Sequence, residues 1–178
     1  MAGKGKKKQI KRILAMDLSM NLPGFAVLDI ANGKVVIRET SYVDNKTGDK
    51  VKLSYAEKLN RIAMEMARIF TDYPDIDAVV REKGFYRFAG ITQVLFRVVG
   101  VSDLLVYQHT GVTTIDELPP TTVKRIVAGD GRADKKDVEV GVREHLTPMQ
   151  KDYTFYSDDV SDAVAVGIAW FLKHGYID

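Results

Sequence analysis

Apolar positions along this chain switch repeatedly between a strand-like and a helix-like period. Residues 10–18 are apolar at almost every position after Lys11 and Arg12, the pattern of a central strand buried on both faces. Asn21-Leu22-Pro23-Gly24 marks a turn. Phe25 to Ile30 and Lys34 to Tyr42 predict two antiparallel strands, with Ala31-Asn32-Gly33 as their hairpin. A polar loop over 44–50 follows. Ser54-Tyr55-Ala56-Glu57 fits a capping box, and Leu59, Ile62, Ala63, Met66, Ile69 and Phe70 recur at helical spacing, so a helix is expected over 55–71. Pro74 closes it. Residues 76–83 predict a strand ending at Glu82, and Phe85-Tyr86-Arg87-Phe88 a loop. Residues 90–109 predict a helix apolar on more than one face, which is the pattern of a buried helix, in some proteins against another subunit.

Val112 to Ile115 predicts a short strand. Pro119-Pro120-Thr121 starts a helix through Val127, and residues 134–145 predict another with Asp134 near its start. The last helix begins at Ser157 or Asp158 and runs to about Lys173, ending before Gly175. The order is β-β-β-α-β-α-β-α-α-α. Neither internal repeat nor linker interrupts it. The expectation is a flexible basic tail over 1–9 and one α/β domain over 10–178.

Charge changes this picture at the N-terminus. Lys4, Lys6, Lys7, Lys8, Lys11 and Arg12 are six bases with no acid among them, and without them the net charge of +2 becomes −4. Such a tail either draws the protein toward nucleic acid at long range or only solubilises it. The chain has no cysteine, which excludes disulfides, thiolate metal sites and cysteine nucleophiles. No apolar stretch is expected to approach the roughly 20 residues of a membrane span, so no membrane partner is expected. The N-terminal charges precede no apolar segment of a secretory signal, and a cytoplasmic protein is the default. His109, His145 and His174 show no spacing of a ligand set. Trp170 and Phe171 read as core or interface.

Candidate chemistry lies in four acids at the ends of apolar segments. Asp17 closes the first strand, Glu82 closes the fourth, and Asp159 and Asp162 open the last helix. A carboxylate at a buried strand end costs free energy unless it is paired. Four converging carboxylates would repel, and a divalent cation would relieve that repulsion. Asp159 and Asp162 stand at i and i+3, on one helix face. Taken alone, they are also ordinary helix-capping acids.

These segments together resemble one family. Ile13-Leu14-Ala15-Met16-Asp17, Val79-Val80-Arg81-Glu82-Lys83-Gly84-Phe85, residues 124–135 and Asp159-Val160-Ser161-Asp162-Ala163-Val164-Ala165 resemble, in order and at similar spacing, the motifs of the RuvC-type Holliday junction resolvases. The resemblance covers residues 11–175. It implies a ribonuclease H-like fold: a mixed five-stranded sheet, three antiparallel strands first, with helices on both faces. It departs from the family at Leu18, Ser19 and Met20, where a glycine is usual, at Lys83, and in the lysine-rich tail. A compact, divergent chain of this kind resembles the versions phages carry.

The resemblance implies a metal-dependent, structure-selective endonuclease that resolves Holliday junctions, and other branched DNA, by paired symmetric nicks. It implies Asp17, Glu82, Asp159 and Asp162 as catalytic metal ligands for two Mg²⁺ ions, with Mn²⁺ as a substitute. It implies phosphate contacts at Lys124, Lys135 and Lys136, which otherwise read as solvated helix positions. Phe85 would wedge or stack at the branch point, or else cover the core. Paired nicks imply a homodimer. Two other classes compete. An actin-like or sugar-kinase-type ATPase begins with a similar strand and acid, but needs a glycine-rich phosphate loop that Leu18 to Leu22 does not supply. A catalytically silent branched-DNA-binding module would not need four acids.

Overall fold

The computed structural model describes residues 10–46, 52–84 and 89–178. Five strands form one sheet: β1 (Arg12–Asp17), β2 (Gly24–Ala31), β3 (Lys34–Tyr42), β4 (Ala78–Glu82) and β5 (Asp116–Leu118), in the order β3-β2-β1-β4-β5. β1, β2 and β3 are antiparallel neighbours, while β4 runs parallel to β1 and β5 parallel to β4. The β2–β3 hairpin turns on Asn32 and Gly33, both at positive φ (52° and 72°), as a two-residue loop twisted with its strands requires.

Strand alternation sorts the central side chains to two faces. Leu14, Met16, Phe25, Val27 and Val79 pack with α1 (Tyr55–Asp72) and α2 (Ala89–Thr110). Ile13, Ala15, Ala26, Leu28 and Val80 pack with α3 (Pro120–Ala128), α4 (Lys135–His145) and α5 (Asp158–Lys173). The chain is therefore a sheet with helices on both faces, as the motif order implies. α5 lies close over the sheet because Gly167 has no side chain: a Cβ there would stand 2.3 Å from Leu28 Cδ1 and 3.0 Å from the Ala15 Cβ. Caps fall where the sequence puts them. Ser54 and Glu57 complete a capping box, Asp134 accepts from the Asp137 amide, and Ser157 accepts from the Val160 amide. Trp170 and Phe171 are buried in the core.

Three expectations are corrected. β5 is Asp116–Leu118, not residues 112–115. Val112 and Ile115 are apolar because they pack on the α1–α2 core, whereas the ladder is made by two acids and Leu118. α2 is not buried around its circumference. Val98, Ser102 and Val106 are inside, yet Ile91, Phe96, Leu104 and Tyr107 are each at least half exposed. The same helix is, over Gly90–Thr110, long and apolar enough by length and composition to cross a membrane, contrary to the expectation that no stretch approaches that length. A short 3₁₀ turn, Pro148–Gln150, was not foreseen; its Gln150 side chain bonds both the amide and the carbonyl of Ile37 on β3.

Candidate active site

β1 and β4 are adjacent parallel strands, so their C-terminal ends lie at the same edge of the sheet. By alternation, Asp17 follows Ile13 and Ala15, and Glu82 follows Val80, onto the face covered by α5. The N-terminus of α5 is brought to that edge by Gly24. Gly24 pairs with Asp17 across the β1–β2 ladder, and a Cβ on it would stand 2.2 Å from the Asp159 carbonyl oxygen. A bare backbone at that position lets the first turn of α5 sit against the strand end, which carries Asp159 and Asp162 to Asp17 and Glu82.

The electrostatics record the convergence. Burial first, and then the charges of Asp162 and Asp159, push the Asp17 carboxyl up to about 7 against the opposing effect of Lys135. Burial likewise pushes Glu82 up to about 8, reinforced by Asp17 and Asp162 and opposed by Lys124. Asp162 is also raised, by burial first and by Asp159 and Asp158, with Lys135 and Lys124 opposing. Four carboxylates thus share one field, and two bases temper it. They are joined through charge rather than contact: among the described residues no three acids or histidines stand close enough together to hold a metal ion. The donor set itself is hard carboxylate oxygen, the chemistry that suits Mg²⁺ or Mn²⁺ rather than a soft metal.

Two cavities flank the acids. One, of about 990 Å³, has Asp17, Glu82 and Asp159 among its lining, with Lys46, Tyr55 and Lys58 on the α1 side. The other, about 140 Å³, lies between α3, α4 and α5 and holds Glu82, Asp162, Lys124 and Lys135. Lys124 donates to the Ala133 carbonyl at 2.7 Å. Lys135 pairs with Asp158 at 2.7 Å and lies 4.0 Å from Asp162. Lys136 is exposed on a neighbouring groove of about 750 Å³, with Arg143, Tyr156, Asp158 and Asp162. Phe85 lies outside the described residues, as does the tail over 1–9.

All four sequence-selected acids, together with Lys124 and Lys135, therefore meet at one sheet edge. Lys136 stands one groove away. Asp158, Lys58 and Tyr55 were missed. Asp158 directly precedes Asp159, and the sequence marks it only as a helix start. Lys58 and Tyr55 were absorbed into an amphipathic helix, and nothing local in the sequence says that the first turn of α1 faces the acids. His109 stacks on Phe70, and His174 packs on Trp170, consistent with structural roles.

Known proteins resemble this chain in sequence and in fold. Residues 13–170 match the family described as crossover junction endodeoxyribonuclease RuvC. A RuvC of Gloeobacter violaceus is 30% identical over 167 residues, spanning 92% of this chain and 89% of that protein. One from Finegoldia magna is 26% identical over 164 residues, spanning 88% of this chain and 90% of its own. In fold, a Thermus thermophilus RuvC solved in complex with a Holliday junction superposes with a TM-score of 0.76 at 19% identity, over 92% of this chain and 94% of that one. With the match running from the start of β1 to the penultimate turn of α5, the chain belongs to the RuvC family of crossover junction endodeoxyribonucleases.

Proposed function

We propose that this chain resolves Holliday junctions, and nicks other branched DNA, by symmetric incision at paired sites. The observation that supports this most directly is the convergence of Asp17, Glu82, Asp159 and Asp162 at one sheet edge with Lys124 and Lys135 beside them. In this reading the four acids hold two Mg²⁺ ions, which Mn²⁺ can replace. Bound divalent ions supply an activated water and neutralise charge at the leaving oxygen. Asp17, at the end of the central strand, would be held most rigidly of the four and would be shared between the ions. Glu82 approaches from the neighbouring strand, and Asp159 and Asp162 from the α5 side. The raised Asp17 and Glu82 carboxyls must both give up protons to become ligands, so ligation is favoured above neutral pH.

Lys124, Lys135 and Lys136 contact phosphates and fix the strand over the acids without reading sequence. Phe85, three residues beyond Glu82, stacks at the branch point. The exposed apolar residues of α2 form the interface of a homodimer, which presents two acid sites to two strands. The protein works in the cytoplasm, where its DNA substrates are. A 5′-labelled four-way junction, a fork, a flap and a linear duplex, each incubated with the protein and Mg²⁺, test the reading. Symmetric nicks in opposing strands of the junction are expected. Cutting of linear duplex as fast as the junction, or no cutting in any metal, would overturn it.

A further inference from the structure

Arg81 is a charged side chain in a place where an apolar one would serve the core. It is 7% exposed on β4, on the α1–α2 face next to Val79. Its guanidinium is fully engaged. Nε donates to Glu117 Oε1 at 2.9 Å, one terminal nitrogen donates to Ser102 Oγ at 3.2 Å, and the same nitrogen pairs with Asp103. Ser102 itself is buried and donates to the Val99 carbonyl at 2.8 Å. One side chain therefore ties β4 to β5 and to the middle of α2.

Arg81 is buried while Glu117 is a third exposed and Asp103 half exposed, so desolvation of the guanidinium and solvent screening of its partners offset most of the attraction and these pairs add little stability. What such a pair does well is fix register. Register matters here more than elsewhere in the sheet. β5 is a three-residue edge strand, and its pairing with β4 consists of Val80↔Asp116, Arg81↔Glu117 and Glu82↔Leu118. A slip of one residue would turn each side chain to the opposite face. Arg81 and Glu117 are directly opposed in this ladder, so their ion pair forms in only one register. That register places Glu82 opposite Leu118, with the Lys83 amide bonded to the Leu118 carbonyl at 2.8 Å. On the other side of the sheet, Asp116 accepts from Trp170 Nε1 at 2.6 Å, tying the same short strand to α5.

We infer that Arg81 is a positioning residue: through Glu117, Ser102 and Asp103 it locks the end of β4 so that the adjacent Glu82 faces the α5 acids and binds a divalent cation. This rests on the metal-dependent reading above. It assigns to the chain a supporting shell for that ligand, built from β5 and α2.

The test compares the full-length wild type with Arg81→Met, Arg81→Lys and Asp103→Ala. Mn²⁺ binding is measured without DNA by electron paramagnetic resonance, and junction cleavage is titrated with Mg²⁺. Arg81→Met should weaken Mn²⁺ binding about tenfold, the scale of outer-shell substitutions at metal sites. The Mg²⁺ needed for half-maximal cleavage should shift by the same factor, and junction affinity in Ca²⁺ should be unchanged. Arg81→Lys, which keeps the charge, should restore part of the loss. Asp103→Ala removes one of the two α2 contacts, leaves Ser102 and Glu117 in place, and should shift both readouts in the same direction by a smaller factor, which keeps the test open if Arg81→Met does not fold. Wild-type metal affinity in both Arg81→Met and Asp103→Ala, whatever their melting temperatures, would overturn the inference. Glu82→Gln separates the two levels. If it too keeps metal affinity and cleavage, the site assignment fails. If it alone loses both, only the role of Arg81 falls.

Discussion

Gly24 faces Asp17 across the β1–β2 ladder, and the space a Gly24 side chain would fill is occupied by the backbone of Asp159 and Val160. The strand end and the start of α5 are in contact only because of that missing atom. Gly24→Ala would put a Cβ 2.2 Å from the Asp159 oxygen, and a backbone group cannot rotate away as a side-chain tip can. The expected cost is about 1–3 kcal/mol of stability, as for overpacking in a tight core. Cleavage should fall further than folding does, since the shift moves Asp159 and Asp162 away from Asp17. Melting temperature and single-turnover cleavage, measured on the same preparation, check this. A variant that melts early but cleaves at the wild-type rate would contradict it.

Asp17→Asn should abolish nicking and leave junction binding intact. The substitution keeps shape on a fully packed strand while removing one charged oxygen donor from the site. The phosphate contacts proposed for Lys124, Lys135 and Lys136 do not pass through Asp17. Gel-shift affinity in Ca²⁺ together with cleavage in Mg²⁺ separates the two effects. Nicking at close to the wild-type rate would remove Asp17 from the ligand set.

The raised acids make stability depend on pH. Below about pH 3, Asp17 and Glu82 are protonated in folded and unfolded chains alike, and they contribute nothing to the slope. Between there and about 7 for Asp17 and 8 for Glu82, the unfolded chain releases protons that the folded one keeps. The folded state then binds more protons, so stability falls as pH rises through this window. Above it, both states are ionised and the full penalty is carried. Metal-free wild type should therefore lose melting temperature between pH 5 and pH 8.5 more steeply than an Asp17→Asn, Glu82→Gln double variant. Mg²⁺ should restore more at pH 8.5 than at pH 5.5, because only ionised carboxylates ligate. Parallel slopes for wild type and variant would show that these two groups do not titrate as described.

How far the sequence carries this structure depends on whether a feature is periodic or positional. Central strands and amphipathic helices repeat a pattern over many residues, so β1 to β4 and α1 were legible, as were their caps at Ser54 and Asp134. The four acids were legible because each ends or begins such an element. β5 was misplaced because its three residues are defined by what they meet: Asp116 by Trp170, Glu117 by Arg81 and Leu118 by the core. No run of apolar residues marks it. α2 misled for a related reason. Its apolar residues encircle the helix, a pattern shared by a helix buried in its own fold and one that keeps a face for something else. Gly24 carried the most information about the site and gave the least signal, since its meaning lies in Asp159, far along the chain.

The exposed residues of α2 predict the oligomeric state. Phe96, Leu104 and Tyr107 are 50%, 55% and 59% exposed on a helix whose other face is packed on α1. Leu104→Glu places a charge on the outer face without touching the core, so folding should be unaffected. Light scattering at micromolar concentration should give a dimer for the wild type and a monomer for the variant. The variant should nick one strand of a junction without the paired second nick. A monomeric wild type with full resolving activity would refute the interface.

The basic tail should tune affinity rather than chemistry. Deleting residues 1–9 removes Lys4, Lys6, Lys7 and Lys8, which precede β1. Each lysine that neutralises a phosphate releases counterions, and its loss should flatten the plot of log affinity against log salt by about 0.9 per contact on duplex arms. The truncated protein should bind junctions more weakly at low salt and converge with the wild type as salt rises. Its cleavage rate at saturating protein should not change, because the acids and the bases beside them all lie within residues 10–178. An unchanged salt slope would mean that the tail does not touch DNA. A loss of single-turnover cleavage at saturation would mean instead that it reaches the site.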